Sequence, residues 1–123
     1  MCLIDVVRQS PRRLVMPLMG FPGTRLTGST IWQNIFNSEL QARTLRALAD
    51  RFSPDGIFFI MDLAVEAGAI GLPVSFQLNE SPTVSGHPVE SEADLDQFRV
   101  VDPLYDGRVH TYLEAMRLMQ PMH

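Results

Sequence analysis

Pro54-Asp55-Gly56-Ile57-Phe58-Phe59-Ile60-Met61-Asp62-Leu63-Ala64-Val65-Glu66-Ala67-Gly68-Ala69-Ile70-Gly71 is the stretch whose reading decides the fold. It opens on a turn, Pro54-Asp55-Gly56. Ile57 to Met61 follow as an unbroken apolar run, short and rich in Ile and Phe. Such a run, bounded by turn residues, predicts a strand covered on both faces. It stops at a carboxylate, Asp62. The small residues from Leu63 to Ile70 can then wind into a helix that Gly71 closes. Strand, acid and helix make one β/α unit. In a parallel barrel, side chains at the C-terminal ends of strands face the active site. Asp62 is therefore the first candidate for a functional residue, with simple capping of the following helix as the alternative.

Outward from that stretch, Leu14 to Met19 is a second apolar run, interrupted by Pro17, which predicts an edge or first strand. The loop Gly20 to Gly28 lacks the spacing of a dinucleotide fingerprint. We expect it on the same barrel face as Asp62. Its Arg25 either meets an anionic group or stands in solvent. Glu66 lies four residues after Asp62, so a continuous helix would carry both acids on one side. Either they share acid–base work, or Glu66 is an acid favoured by the helix dipole.

The remaining helices announce themselves by caps and period. Leu3 to Gln9 is one, ended by Ser10-Pro11. Thr30 to Phe36 is a short one. Ser38 to Phe52 has capping-box spacing at Ser38 and Gln41, and an apolar stripe at Leu45, Leu48, Ala49 and Phe52. Pro73 to Gln77 reads as a short strand, and Leu78 to Val89 as a loop. Ser91 to Phe98 is an acidic helix with a capping box at Ser91 and Asp94. Val109 to Met119 is amphipathic, with Val109, Tyr112, Leu113, Met116 and Met119 on one face, and Pro121 blocks its continuation.

Composition narrows the classes of function. The chain has 123 residues, enough for one modest domain, and 46% hydrophobic residues, as in an ordinary globule. Net charge is −4 and every cation is Arg, so no basic stripe for nucleic acid and no lysine for Schiff-base or P-loop chemistry is present. No apolar run reaches the roughly 18 residues of a membrane span. The N-terminus lacks the pattern of a signal peptide, which makes the cytoplasm the expected location. Cys2 alone makes neither a disulfide nor a Cys-rich zinc site. His87 lacks a partner at metal-ligand spacing and reads as a surface residue.

In this order and spacing, Phe52-Ser53-Pro54-Asp55-Gly56, Asp62-Leu63-Ala64-Val65-Glu66-Ala67 and Gly71 resemble the uroporphyrinogen decarboxylase superfamily. Ser81-Pro82-Thr83-Val84, His87-Pro88-Val89, Asp94-Leu95, Asp102-Pro103, Asp106-Gly107-Arg108 and Glu114-Ala115 extend the likeness. The nearer branch is that of the methylcobamide:coenzyme M methyltransferases. The resemblance implies an α/β fold, the N-terminal part of a (β/α)8 barrel. It implies methyl transfer from a corrinoid protein to a thiol such as coenzyme M, with zinc held by a His and Cys set that belongs to the later barrel. In the decarboxylases an aspartate at this strand end binds substrate pyrrole nitrogens, and Asp62 matches it. Their R-Q-A-G-R-Y segment is replaced here by Gly20-Phe21-Pro22-Gly23-Thr24-Arg25-Leu26-Thr27-Gly28, which departs from the decarboxylase pattern.

A barrel of this kind usually needs about 250 residues. The expectation is accordingly a partial barrel, not catalytic alone and holding no cofactor itself. Asp62, Glu66 and Arg25 would line its cavity. Its open edges would be covered by a second copy or by a complementing barrel segment, and a corrinoid protein would be its further partner. The alternatives are a tetrapyrrole decarboxylase fragment and a non-catalytic assembly module.

Overall fold

The computed structural model describes residues 2–87, 89–98 and 100–120. Pro88 and Pro121, both invoked above, lie outside the described residues. In order, the elements are α1 (Leu3–Gln9), a 3₁₀ turn (Phe21–Gly23), α2 (Thr24–Thr27), α3 (Ile31–Phe36) and α4 (Ser38–Phe52). Then come α5 (Val65–Ala69), β1 (Val74–Ser75), β2 (Thr83–Val84), a 3₁₀ helix (Glu92–Gln97) and α6 (Val109–Met119).

The helix α4 is the scaffold. Asn37 caps it, its side chain accepting from Leu40 N–H at 2.9 Å, so Ser38 is the first helical residue instead of the expected cap. Ser53 ends it in the left-handed region at φ 45°, donating its N–H to Ala49 C=O, and Pro54 prevents resumption. Its buried stripe is Gln41, Thr44, Leu45 and Leu48, while Phe52 is exposed, so the packed face is turned from the expected one. The cause is a close approach by the loop after the first apolar run. A Cβ on Gly23 would fall 2.6 Å from Leu48 Cδ1 and 2.7 Å from Thr44 Cγ2. That loop is itself helical, as Pro22 starts the 3₁₀ turn and Gly28, at φ 64°, ends α2.

Opposite lies α6, tied to α4 by Arg46, which donates to the Leu118 carbonyl. Ile35, Leu45, Leu48, Ile60 and Tyr112 form the core. Fully burying each of the aliphatic members contributes roughly 1.5–3 kcal/mol. Leu113 and Met116, expected in this core, are exposed, while Thr111, Tyr112 and Ala115 are buried. Ala115 lets α6 come close, and a buried polar group described below fixes the rotation.

The two predicted strands need correction. Neither Leu14–Met19 nor Ile57–Met61 belongs to a strand ladder, and the sheet among the described residues is the antiparallel pair β1–β2, with Val74 opposite Val84 and Ser75 opposite Thr83. The β2 segment lies inside the expected loop. Two residues are too few to show an alternating pattern. Even so, the two apolar runs lie side by side. Asp55 N–H donates to Val15 C=O at 3.0 Å. A Cβ on Gly56 would meet Met16, and one on Gly20 would fall 2.8 Å from Ile60 Cα. All three approaches share one offset, residue i beside i+40, which means the runs point the same way. Pro17 has no N–H to offer, so an evenly bonded parallel ladder cannot pass through the middle of the first run.

Candidate functional site

The apolar run 57–61 is pinned at both ends by an aspartate. At its start, Asp55 takes a two-point bond from Arg12, 2.8 Å from Nη1 and 2.6 Å from Nη2, and accepts Val15 N–H at 2.8 Å. The Arg12 guanidinium first, and the Val15 amide second, hold this carboxyl below its ordinary range. The pair stands at the surface, with Arg12 largely in water.

At the other end Asp62 is buried. Its Oδ1 accepts Ala64 N–H at 3.0 Å, the local turn that starts α5. Its Oδ2 accepts from Arg108 Nη2 at 2.7 Å, Arg108 Nε at 3.3 Å and the Tyr112 hydroxyl at 2.9 Å. The side chain of Asp62 is 0% exposed and that of Arg108 8%. A buried charge must be paired and hydrogen-bonded to be tolerated, and here it is. Burial, and then the neighbouring Asp62 carboxylate, push the Tyr112 phenol well above its ordinary value, so it stays a donor. Arg108 is further held by aromatic faces, its guanidinium carbon 4.6 Å from the Phe76 ring centre and 5.5 Å from that of Phe36. Asp62 thus both starts the next helix and binds α6 to the run, so the capping role and the buried constellation coexist.

The three site residues expected from sequence separate into two places. Asp62 and Glu66 border one cavity of about 320 Å³, walled by Phe59, Val65, Val109 and Tyr112. Glu66 is exposed at its rim. Arg25 is exposed elsewhere, beside a cavity bordered by Phe21, Ser29, Ile31 and Asn79. A third, apolar cavity lies at the C-terminal ends of the two runs, bordered by Leu18, Phe21, Phe59, Met61 and Leu63.

Arg108 and Tyr112 escaped the sequence reading. The sequence reading places Tyr112 on the apolar face of Val109 to Met119, and Arg108 enters it only within the Asp106-Gly107-Arg108 part of the resemblance. One signal was available for Arg108. It precedes α6 directly, where the helix dipole disfavours a cation, a small cost that an acidic partner offsets.

Among the described residues no group of three His, Cys, Asp or Glu side chains could hold a metal ion. Cys2 is exposed at the other end of the chain from α6. These residues do not fit the zinc that the resemblance implies, and no step below runs through it. No helix among the described residues is long and apolar enough to cross a membrane.

The family model described as Uroporphyrinogen decarboxylase (URO-D) matches residues 10–122. Among solved structures, a methyltransferase from Methanosarcina mazei superposes with a TM-score of 0.75 at 21% identity. The match covers 98% of this chain and 37% of that one, so the chain spans well under half the length of this neighbour. Identity so low speaks for the fold alone. A search of curated protein sequences finds no match.

Proposed function

Because this chain belongs to the uroporphyrinogen decarboxylase family, we propose that it forms the opening part of a methyltransferase-type (β/α)8 barrel in which Asp62 is a substrate-binding group. The reaction would move a methyl group from a methylcobamide protein to a thiol such as coenzyme M. The observation that carries this reading is the parallel course of runs 14–19 and 57–61 ending in a buried, hydrogen-bonded acid. Parallel runs followed by helices are the unit of such a barrel, and functional groups gather at the C-terminal ends of its strands. The likeness of this backbone to part of a larger solved structure supports the fold on which the reading rests.

Within this reading Glu66 borders the same cavity as Asp62, and Arg25 serves an anionic group at the neighbouring rim. Zinc and the corrinoid would be contributed from outside these residues. Val15, Leu18, Phe58 and Met61 are exposed apolar side chains on the two runs, and Leu63 follows the second. These exposed side chains fit cover by further β/α units, from a complementing segment or a second copy. Sedimentation as a clean monomer without self-association would count against such cover.

The test is a chimera in which this chain replaces the matching segment of the Methanosarcina mazei methyltransferase. We expect methyl transfer by the chimera, and a fall in turnover per folded molecule on Asp62→Ala. Turnover per folded molecule unchanged by that substitution reduces Asp62 to a structural group. Decarboxylation of a porphyrinogen by the chimera, in place of thiol methylation, favours the other branch of the family; the single arginine in Gly20–Gly28 argues against that branch.

A further inference from the structure

The geometry points to a small-molecule site around the part of Arg108 that Asp62 does not use: it takes a flat, neutral molecule that offers a hydrogen-bond acceptor to Arg108 Nη1. A guanidinium carries five N–H donors. Asp62 Oδ2 takes one from Nε and one from Nη2, and Nη1 donates to no group among the described residues. A cavity of about 320 Å³ is bordered by Arg108, Phe36, Gly68, Val74 and Phe76, and shares no wall residue with the cavity beside Asp62 and Glu66. Its size is at the small end of ligand cavities. Nη1 stands at its wall, because a Cβ added to Gly68 would lie 3.5 Å from Nη1 and 3.4 Å from Val74 Cγ2. Glycine at 68 thus leaves the guanidinium uncovered in the middle of α5, where alanine would favour the helix more. The other wall is aromatic. Phe36 and Phe76 are both partly exposed, their ring centres lie 5.1 Å apart, and the guanidinium carbon sits over both. Trp32 N–H donates to Leu78 C=O at 3.0 Å, which ties the helix carrying Phe36 to the β1–β2 connection carrying Phe76. The two rings are therefore in place before a ligand arrives. Charge selects the ligand. Asp62 already neutralises Arg108, so a ligand carboxylate would leave a net negative charge half out of water, a cost that an amide carbonyl does not meet. A cation would meet the like charge of the guanidinium. An aromatic amide, with its ring against Phe36 and Phe76 and its carbonyl on Nη1, satisfies both walls.

The site does not depend on Asp62 meeting a substrate. Benzamide titrated into the chain itself and followed by ¹H–¹⁵N NMR tests it, with benzoate as the charged comparison. Benzamide should shift the Arg108 side-chain N–H signals and the Gly68 and Phe76 amides saturably, with Kd in the millimolar range usual for so small a molecule. Gly68→Ala should weaken that binding at least about tenfold, the usual scale for losing a hydrogen bond to a charged group. Its added methyl meets only ordinary van der Waals contacts, so the fold is kept. Phe76→Leu should weaken binding severalfold by removing one ring face. Benzoate should bind more weakly than benzamide. Shifts scattered over the surface without saturation overturn the site, as does benzamide binding to Gly68→Ala or to Phe76→Leu as tightly as to the wild type. Tighter binding of benzoate than of benzamide overturns the assignment of a neutral ligand.

Discussion

Asp55 and Asp62 stand seven residues apart on one apolar run, each bound to an arginine, yet they do different work. Asp55 meets Arg12 at the surface, where water and salt compete with the pair. Asp62 meets Arg108 inside, where no water replaces a lost partner. The outer pair sets register, because the same carboxylate also holds Val15 N–H and so locks the start of one run to the other. The inner pair sets the rotation of α6, because Arg108 and Tyr112 must both reach it. The two pairs span similar sequence distances, but Arg12 grips both oxygens of Asp55, whereas Arg108 and Tyr112 converge on Oδ2 of Asp62, and one pair is exposed where the other is buried.

The sharpest way to break the contrast is to remove one inner partner. Asp62→Ala leaves Arg108 buried with no anion, and Arg108→Met leaves the carboxylate with the Tyr112 hydroxyl and an amide. Each should cost about 3–5 kcal/mol in urea unfolding. Next in size is Tyr112→Phe, expected to cost about 1–2 kcal/mol, since Oδ2 keeps Arg108. Asp55→Asn should be milder than either and should act through pH. Its folded carboxyl lies below the ordinary value of 3.8, so its stabilising effect is present above that value and is lost as pH falls through the folded value. As pH falls below about 4, the stability of the wild type should therefore drop more steeply than that of Asp55→Asn, and its advantage over the variant at neutral pH should shrink. Smallest is Arg25→Ala, on an exposed side chain, which should leave stability within about 0.5 kcal/mol.

Much of the helical frame was legible. Leu3–Gln9, Ser38–Phe52 and Val109–Met119 have the expected bounds, although Asn37 and not Ser38 caps the second. Asp62 was legible as an acid closing an apolar run. What escaped depends on pairs far apart in sequence. Asp62 and Arg108 are 46 residues apart, and nothing local marks the guanidinium as internal. The rotation of α6 follows from that pair, so Leu113 and Met116 were misplaced with it. The predicted strands ran in the expected common direction but lack a ladder, and Pro17 shows why. The hairpin β1–β2 was half seen, as its strands are too short to carry a period.

The central claim is that Asp62 and Arg108 form one buried unit. A double-mutant cycle of Asp62→Asn and Arg108→Met, read by urea unfolding at neutral pH, tests it most directly. The account predicts that the double variant is less destabilised than the two single losses added together, by about 1–3 kcal/mol. Strict additivity would mean that the two side chains do not meet, and would contradict it.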